Sequence, residues 1–387
     1  MQKVILKKRD LLEVYYAVLN GKVSKRNDIA KMFKLRSTSV SDIVTALLKA
    51  GLLMEGVPTT NQRGRPAAIL MGNSARFCTI FIQVNGRVIV ARATDLSGRL
   101  IAQATCEPPH DADNDVMAAA LLGLAKRIQP NIPTASEICG IVCSLPGVLD
   151  CPRHQWRFIS RWPNLQALDL NETFSSLNLK TFYIRNLDAE LNSRNSDLGE
   201  HWSKENTLLL HWGYGIGAAY SMNGVIANRE QGQFCEVGHW RMDNGAGVPC
   251  SCGSVDCLET VASLWSIGPK LRARWPDLPA DEAGLTQVIR NFPLLEMDVM
   301  QDALRDIIRV IGNLCRILFP ARIIVTGPFA HNSMIFSQLS EGIEAAPFRE
   351  ILDRPIITIG EASLKHEEVG ALKSIYTDAI EELLSSS

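Results

Sequence analysis

The sequence predicts an α/β chain in two parts: a small head of three short helices and a two-stranded wing over residues 1–72, and a larger body of mixed strands and helices over residues 73–387. Three observations carry that division. The first 72 residues hold three helical patterns in close succession, followed by an arginine-bearing turn between two short apolar runs. Farther on, two strand-like runs, Thr207–Trp212 and Arg322–Thr326, each lead into glycine, as two lobes facing a cleft would require. Charge divides at the same place, with 13 Lys/Arg against 5 Asp/Glu in residues 1–72 and 27 against 36 in the remainder. A basic head on an acidic body implies a polyanionic partner for the head alone.

The 387 residues exceed one ordinary domain, and each part is long enough to bury its own core. A hydrophobic share of 46% with 21% charged residues fits a globular protein. No apolar run is long enough to span a bilayer, and the basic opening Met1-Gln2-Lys3 is not followed by the apolar segment that secretion needs. Membrane partners are therefore not expected, and a cytoplasmic location is. Of the ten cysteines, seven (Cys78, Cys106, Cys139, Cys143, Cys151, Cys235 and Cys315) lack paired spacing and read as small core residues.

In the head, Leu11, Leu12, Val14, Tyr15, Val18 and Leu19 recur at helical spacing and stop at Asn20-Gly21. Ser24 is the expected cap of a second helix running to about Phe33, and Ser37 of a third that buries Val40, Ile43, Val44, Leu47 and Leu48 before Ala50-Gly51. Three short helices with a tight second turn form a helix-turn-helix, which directs the start of the last helix into the DNA major groove. Thr38, Ser39 and Ser41, with Ser37, can donate to phosphates or base edges, while Lys25, Arg26, Lys34 and Arg36 supply phosphate attraction. The run Thr59 to Pro66 predicts the tip of a wing, with Arg63 and Arg65 placed for a minor groove or flanking phosphates.

In the body, Cys78–Val84 and Val88–Thr94 form a hairpin about Asn85-Gly86, followed by a helix at about 114–128 and a strand at 137–143. The sharpest motif is His239, then ten residues, Cys250-Ser251-Cys252, four residues, and Cys257-Leu258-Glu259. Three thiolates and an imidazole complete a tetrahedral zinc set with no open position, so a structural rather than a catalytic ion is expected.

Glu236-Val237-Gly238-His239 followed by Cys250-x-Cys252-Gly253-x-x-x-Cys257-Leu258-Glu259 resembles the signature of the ROK family, a group of sugar kinases and sugar-responsive repressors. The likeness takes in Gly64-Arg65-Pro66, Asp95-Leu96-x-Gly98, Pro146-Gly147 and Gly213-x-Gly215-x-Gly217, and is nearest in kind to regulators of the N-acetylglucosamine- or xylose-repressor type. It implies a two-lobed actin/hexokinase-like (ribonuclease H-like) body behind a winged helix-turn-helix. Lobe 1 would span about 73–186 plus the C-terminal helix, and lobe 2 about 187–370 with the zinc loop at 236–259. By the same resemblance Glu236 and Glu259 would accept from sugar hydroxyls, and His239 would bind zinc through one nitrogen and face the sugar with the other. Expected partners are a DNA operator, a sugar or sugar derivative, and a second copy of the chain in a homodimer or higher oligomer.

Kinases of this fold carry Asp-x-Gly-Gly-Thr-Lys in the first hairpin and Gly-Thr-Gly in a second phosphate loop. The matching segments here are Gln83-Val84-Asn85-Gly86-Arg87-Val88 and Gly213-Tyr214-Gly215. Counting back from Gly199-Glu200 puts Asn192 at the catalytic-base position, whereas counting from the preceding strand selects Asp188. Neither restores a convincing base, so no catalysis is expected, and both remain candidate sugar contacts. Asp256 stands where the family motif has glycine, which predicts a small backbone strain and an intact zinc site.

Overall fold

The computed structural model describes residues 8–56, 68–197, 204–242, 246–345, 354–361 and 364–385. Helices α1 (Lys8–Leu19), α2 (Arg26–Met32) and α3 (Ser37–Lys49) are followed by the antiparallel strands β1 (Leu53–Gly56) and β2 (Ile69–Gly72), the base of a wing. The predicted stops hold for a local reason. Gly21 and Gly51 take φ of 68° and 70°, which lets the N–H of Lys22 reach the Ala17 carbonyl (2.9 Å) and that of Leu52 reach Leu47 (3.0 Å). The starts differ from expectation. Lys25 and Arg36 occupy the cap positions and neither caps with its side chain. Ser24 is held by the wing instead, its carbonyl accepting from Leu70 N–H at 2.8 Å.

The body is built on two five-stranded sheets. In the first, β3 (Phe77–Asn85), β4 (Val88–Asp95) and β5 (Leu100–Cys106) form an antiparallel meander. After α4 (Asn114–Ile128), β6 (Glu137–Leu145) joins β3 in parallel. A small sheet of β7 (Val148–Asp150), β8 (Gln155–Phe158) and β9 (Leu168–Asp169) and the short helix α5 (Leu170–Phe174) precede β10 (Thr181–Arg185), which lies parallel to β6. Helix α6 (Asn186–Asp197) leads to the second sheet. There β11 (Thr207–Trp212), β12 (Ile216–Met222) and β13 (Val225–Ile226) repeat the meander. Helices α7 (Leu258–Ala262), α8 (Leu264–Arg274), α9 (Glu282–Val288) and α10 (Asp298–Leu318) come next. Strand β14 (Arg322–Thr326), helix α11 (Ser333–Glu344) and strand β15 (Ile356–Ile359) complete that sheet, with β14 and β15 added in parallel beside β11. Both sheets thus share one strand order: the meander's last, middle and first strands, then two parallel additions.

The C-terminal helix α12 (Leu364–Ser385) returns across α6 and the first sheet to reach α1. A Cβ at Gly370 would stand 1.8 Å from the Ala189 carbonyl oxygen, so only glycine lets α12 lie this close to α6. Tyr376 donates to the Thr94 carbonyl at 2.8 Å, and the hydroxyls of Thr377 and Tyr16 meet at 3.3 Å. The expectation of a separate head core is corrected here. Val14, Tyr15, Ile29, Val44 and Leu47 form one continuous cluster with Phe77, Phe81, Ala371, Tyr376 and Ile380. Three short helices bury too little on their own, and α12 supplies the missing apolar surface. Among the described residues no helix is long and apolar enough to cross a membrane.

Candidate functional site

The ligand atoms of His239, Cys250, Cys252 and Cys257 all lie within 4.8 Å of one another, a group that could hold a metal ion. Cys250 Sγ stands 3.5 Å from His239 Nδ1, and Cys252 Sγ 3.7 Å from Cys257 Sγ. A tetrahedron with the bond lengths of sulfur and nitrogen ligands has edges of about 3.3–3.8 Å, so the donor set fits such an ion. Local structure explains the approach. His239 ends a 3-10 turn over Val237–His239, Gly253 turns at φ 87°, and bridges between Pro249 and Val255 and between Arg241 and Cys257 close the loop. Asp256 takes φ 54°, as its replacement of a glycine predicted. Its carboxylate accepts from the N–H groups of Gly247 (3.0 Å) and Val248 (2.8 Å), which offsets the strain by tying down the start of the loop.

Beside this loop a cleft of about 220 Å³ opens between the two sheets, and Glu236, His239 and Glu259 line it. Glu259, in the first turn of α7, is 4% exposed. Its Oε1 accepts from Ile216 N–H at 3.0 Å, and its Oε2 from Ser160 Oγ at 3.2 Å and Trp265 Nε1 at 3.4 Å. Glu236 faces the Arg185 guanidinium at 3.3 Å, and burial pushes its carboxyl up despite that neighbour. The turn between β3 and β4 contributes Val84, Asn85 and Gly86 to the lining of the same cleft.

Asp188 and Asn192 are not among the residues lining the cleft. Asn192 donates to the Gly370 carbonyl at 2.8 Å and is used in holding α12. Asp188, 2% exposed, pairs with Arg185 at 3.5 Å, and burial raises its carboxyl to about 6. From this stretch Arg185, Asn186, Leu187 and Glu190 face the cleft instead. The helical turn decides which side chains reach it, and neither sequence register had that information.

The site also contains residues that sequence reasoning missed: Arg161, His211, Glu282 and Glu367. They come from four separate segments with no shared motif, so only the fold assembles them. Glu282 begins α9 and accepts from the Tyr214 N–H, while His211 Nδ1 lies 3.2 Å from Thr326 Oγ1. Burial disfavours a charged His211, but the Glu282 carboxylate outweighs it and raises the imidazole above its ordinary value. Glu367, near the start of α12 and 7% exposed, is driven up to about 8 by burial, with the Ser144 hydroxyl opposing.

On the head, Lys25, Arg36, Ser37, Thr38 and Ser41 are exposed and Ser39 is half-buried. Arg26 is bound to Glu55 on β1 at 2.9 Å, which ties α2 to the wing and engages a cation expected to face phosphate. Arg63 and Arg65 lie outside the described residues.

Comparison with known proteins bears on the whole arrangement. The chain is 20% identical over 333 residues to the DNA-binding transcriptional repressor Mlc of Escherichia coli (strain K12), covering 84% of this chain and 82% of that protein. With the xylose repressor of Caldicellulosiruptor bescii it shares 25% identity over 267 residues, 67% of this chain and 65% of that protein. The structure resembles that of a ROK family transcriptional regulator, a homologue of the E. coli Mlc protein, with a TM-score of 0.70 at 21% identity over 98% of both chains; at that identity the likeness speaks for the fold. The ROK family model matches residues 79–372, and the chain belongs to the ROK family.

Proposed function

We propose that the chain is a sequence-specific DNA-binding transcription regulator, a repressor of carbohydrate genes, whose DNA affinity changes when a sugar binds in the cleft. Residues 1–72 read the operator and residues 73–387 sense the sugar, in a cytoplasmic homodimer. One observation carries this reading: a wall of Glu236, His239 and Glu259 backed by a Cys3His group, in a body that shares its core with a helix-turn-helix head. Fixed carboxylates suit a ligand rich in hydroxyl donors and discriminate against an analogue that would leave one of them unpaired. His239, Cys250, Cys252 and Cys257 would hold a zinc ion whose role is structural support of the loop from which His239 and Glu259 project.

Signal transfer follows from α12. Its first turns meet the cleft at Glu367, and its later turns contact α1, the Thr377 hydroxyl lying 3.3 Å from that of Tyr16. Closure of the lobes on a sugar would move that helix and with it the two heads of a dimer. Half-sites lie about 34–36 Å apart, a spacing sensitive to such movement.

Selection of bound DNA from a random pool by the full chain, with and without each sugar of a panel, tests the proposal. A selected sequence whose recovery changes with one sugar is expected, with preference lost in Arg63→Ala/Arg65→Ala. Failure to select any sequence would sink the regulator reading. The competing sugar-kinase reading meets its own test, because stoichiometric ADP release with any sugar of the panel would establish it.

A further inference from the structure

The inner turn of the cleft holds a group that sugar recognition leaves unexplained. Where β11 gives way to Gly213, the Tyr214 N–H and the Nε2 edge of His211 face one spot, and the Arg161 guanidinium lies over the Tyr214 ring, 4.5 Å from its centre. Into that spot α9 inserts Glu282. Its Oε1 accepts from Tyr214 N–H, and its two carboxylate oxygens stand 3.4 and 3.3 Å from His211 Nε2. The fit is close. A Cβ at Gly213 would lie 2.6 Å from Glu282 Oε1 and 2.5 Å from His211 Nε2, so the turn, the imidazole and the carboxylate occupy one another's limits. Burial opposes ionisation of Glu282, but His211, the Tyr214 amide and Arg161 outweigh it and hold the carboxyl down to about 2. A backbone amide and an imidazole aimed at one point, with a guanidinium over the neighbouring ring, make an anion seat, and here the chain's own carboxylate fills it.

We infer that Glu282 is a built-in anion occupying a phosphate-accepting seat, so that the cleft selects uncharged ligands and turns away phosphorylated ones. The ligand preference rests on the sugar-sensing reading, whereas the seat itself does not. Charge on the remaining walls acts in the same direction. Glu190, Glu236 and Glu259 also line the cleft, and Arg185 there already faces the carboxylates of Asp188 and Glu236. An incoming phosphate would have to displace a carboxylate to pair with Arg185 or with His211.

The experiment titrates the full chain with inorganic pyrophosphate by calorimetry, comparing the parent protein with Glu282→Ala, which clears the seat. A second arm titrates the parent with free sugars and their phosphate esters. Pyrophosphate is expected to bind the variant at least about tenfold more tightly than the parent, and a free sugar at least about tenfold more tightly than its phosphate ester. Equal pyrophosphate affinity in a variant that still melts cooperatively overturns the inference. If the variant does not fold, the parent's preference decides, and a phosphate ester bound as tightly as the free sugar overturns it. A panel in which no sugar binds in either form defeats the sensing proposal alone, since the pyrophosphate comparison stands without it.

Discussion

Glu259 and Glu282 accept from backbone amides two residues apart in the same turn, Ile216 and Tyr214, yet their surroundings differ. Around Glu259 the other donors are neutral, the Ser160 hydroxyl and the Trp265 indole. Such donors position a carboxylate without cancelling its charge, and leave acceptor capacity for a ligand hydroxyl. Around Glu282 it is the His211 imidazole, whose Nε2 stands 3.3 Å from the carboxylate and whose hold on a proton that carboxylate strengthens, so Glu282 is fixed as part of the wall. A backbone anchor alone therefore does not tell a recognition carboxylate from a structural one. The second neighbour does: a neutral hydroxyl or indole in one case, a titratable imidazole in the other.

The strongest way to break this comparison is to unseat the loop behind Glu259. Cys257→Ser should abolish zinc binding measured by elemental analysis, lower the melting temperature by about 5–10 °C, and remove sugar binding with it. A variant that lost zinc but kept sugar affinity would show that the loop does not position Glu259. Next in size, Glu259→Gln should weaken sugar binding on the order of 100-fold by calorimetry, because an amide presents a donor where the hydroxyl also donates. That variant should gain no affinity for pyrophosphate, in contrast to Glu282→Ala. If the two variants behaved alike, the distinction drawn from their neighbours would fail.

A subtler separation comes from pH. Glu282 has a folded value of about 2, below its ordinary 4.5, so its contribution to stability is present above pH 4.5 and is lost as pH falls toward 2. Glu367 has the opposite sign. Its folded value of about 8 lies above 4.5, so the folded state holds a proton that the unfolded state releases, and stability falls as pH rises from 4.5 through 8. Urea unfolding should show Glu282→Gln flattening the acid limb and Glu367→Gln flattening the neutral limb. An unchanged neutral limb in Glu367→Gln would mean that this carboxyl ionises freely. The smallest effect is expected at the join between head and body. Thr377→Val removes a half-buried hydroxyl contact to Tyr16, should cost about 0.5–1 kcal/mol, and should shrink the change in DNA affinity on adding sugar. A full response in that variant would move signal transfer away from this contact.

Much of the head was legible because its signals are local. Gly21 and Gly51 end helices through their own backbone freedom, and the buried stripe of α3 follows from its spacing. The helix starts were not, since Ser24 is drawn into a contact with Leu70 that lies far along the chain. The same contrast runs through the site. His239, Cys250, Cys252 and Cys257 stand close in sequence, and a chelating loop needs only short-range geometry. Asp188 and Asn192 could not be told apart by counting, and in the fold each is engaged elsewhere, with Arg185 and with Gly370.

From the residues alone came the Cys3His donor set and the basic helical head. These depend on side-chain chemistry at short spacing, where few arrangements are possible. Packing had to decide the rest: that the head shares a core with α12, that two sheets repeat one strand order, and that a carboxylate from α9 fills the seat beside Tyr214. Each joins segments tens to hundreds of residues apart, and only the burial of many apolar side chains at once specifies which of them meet.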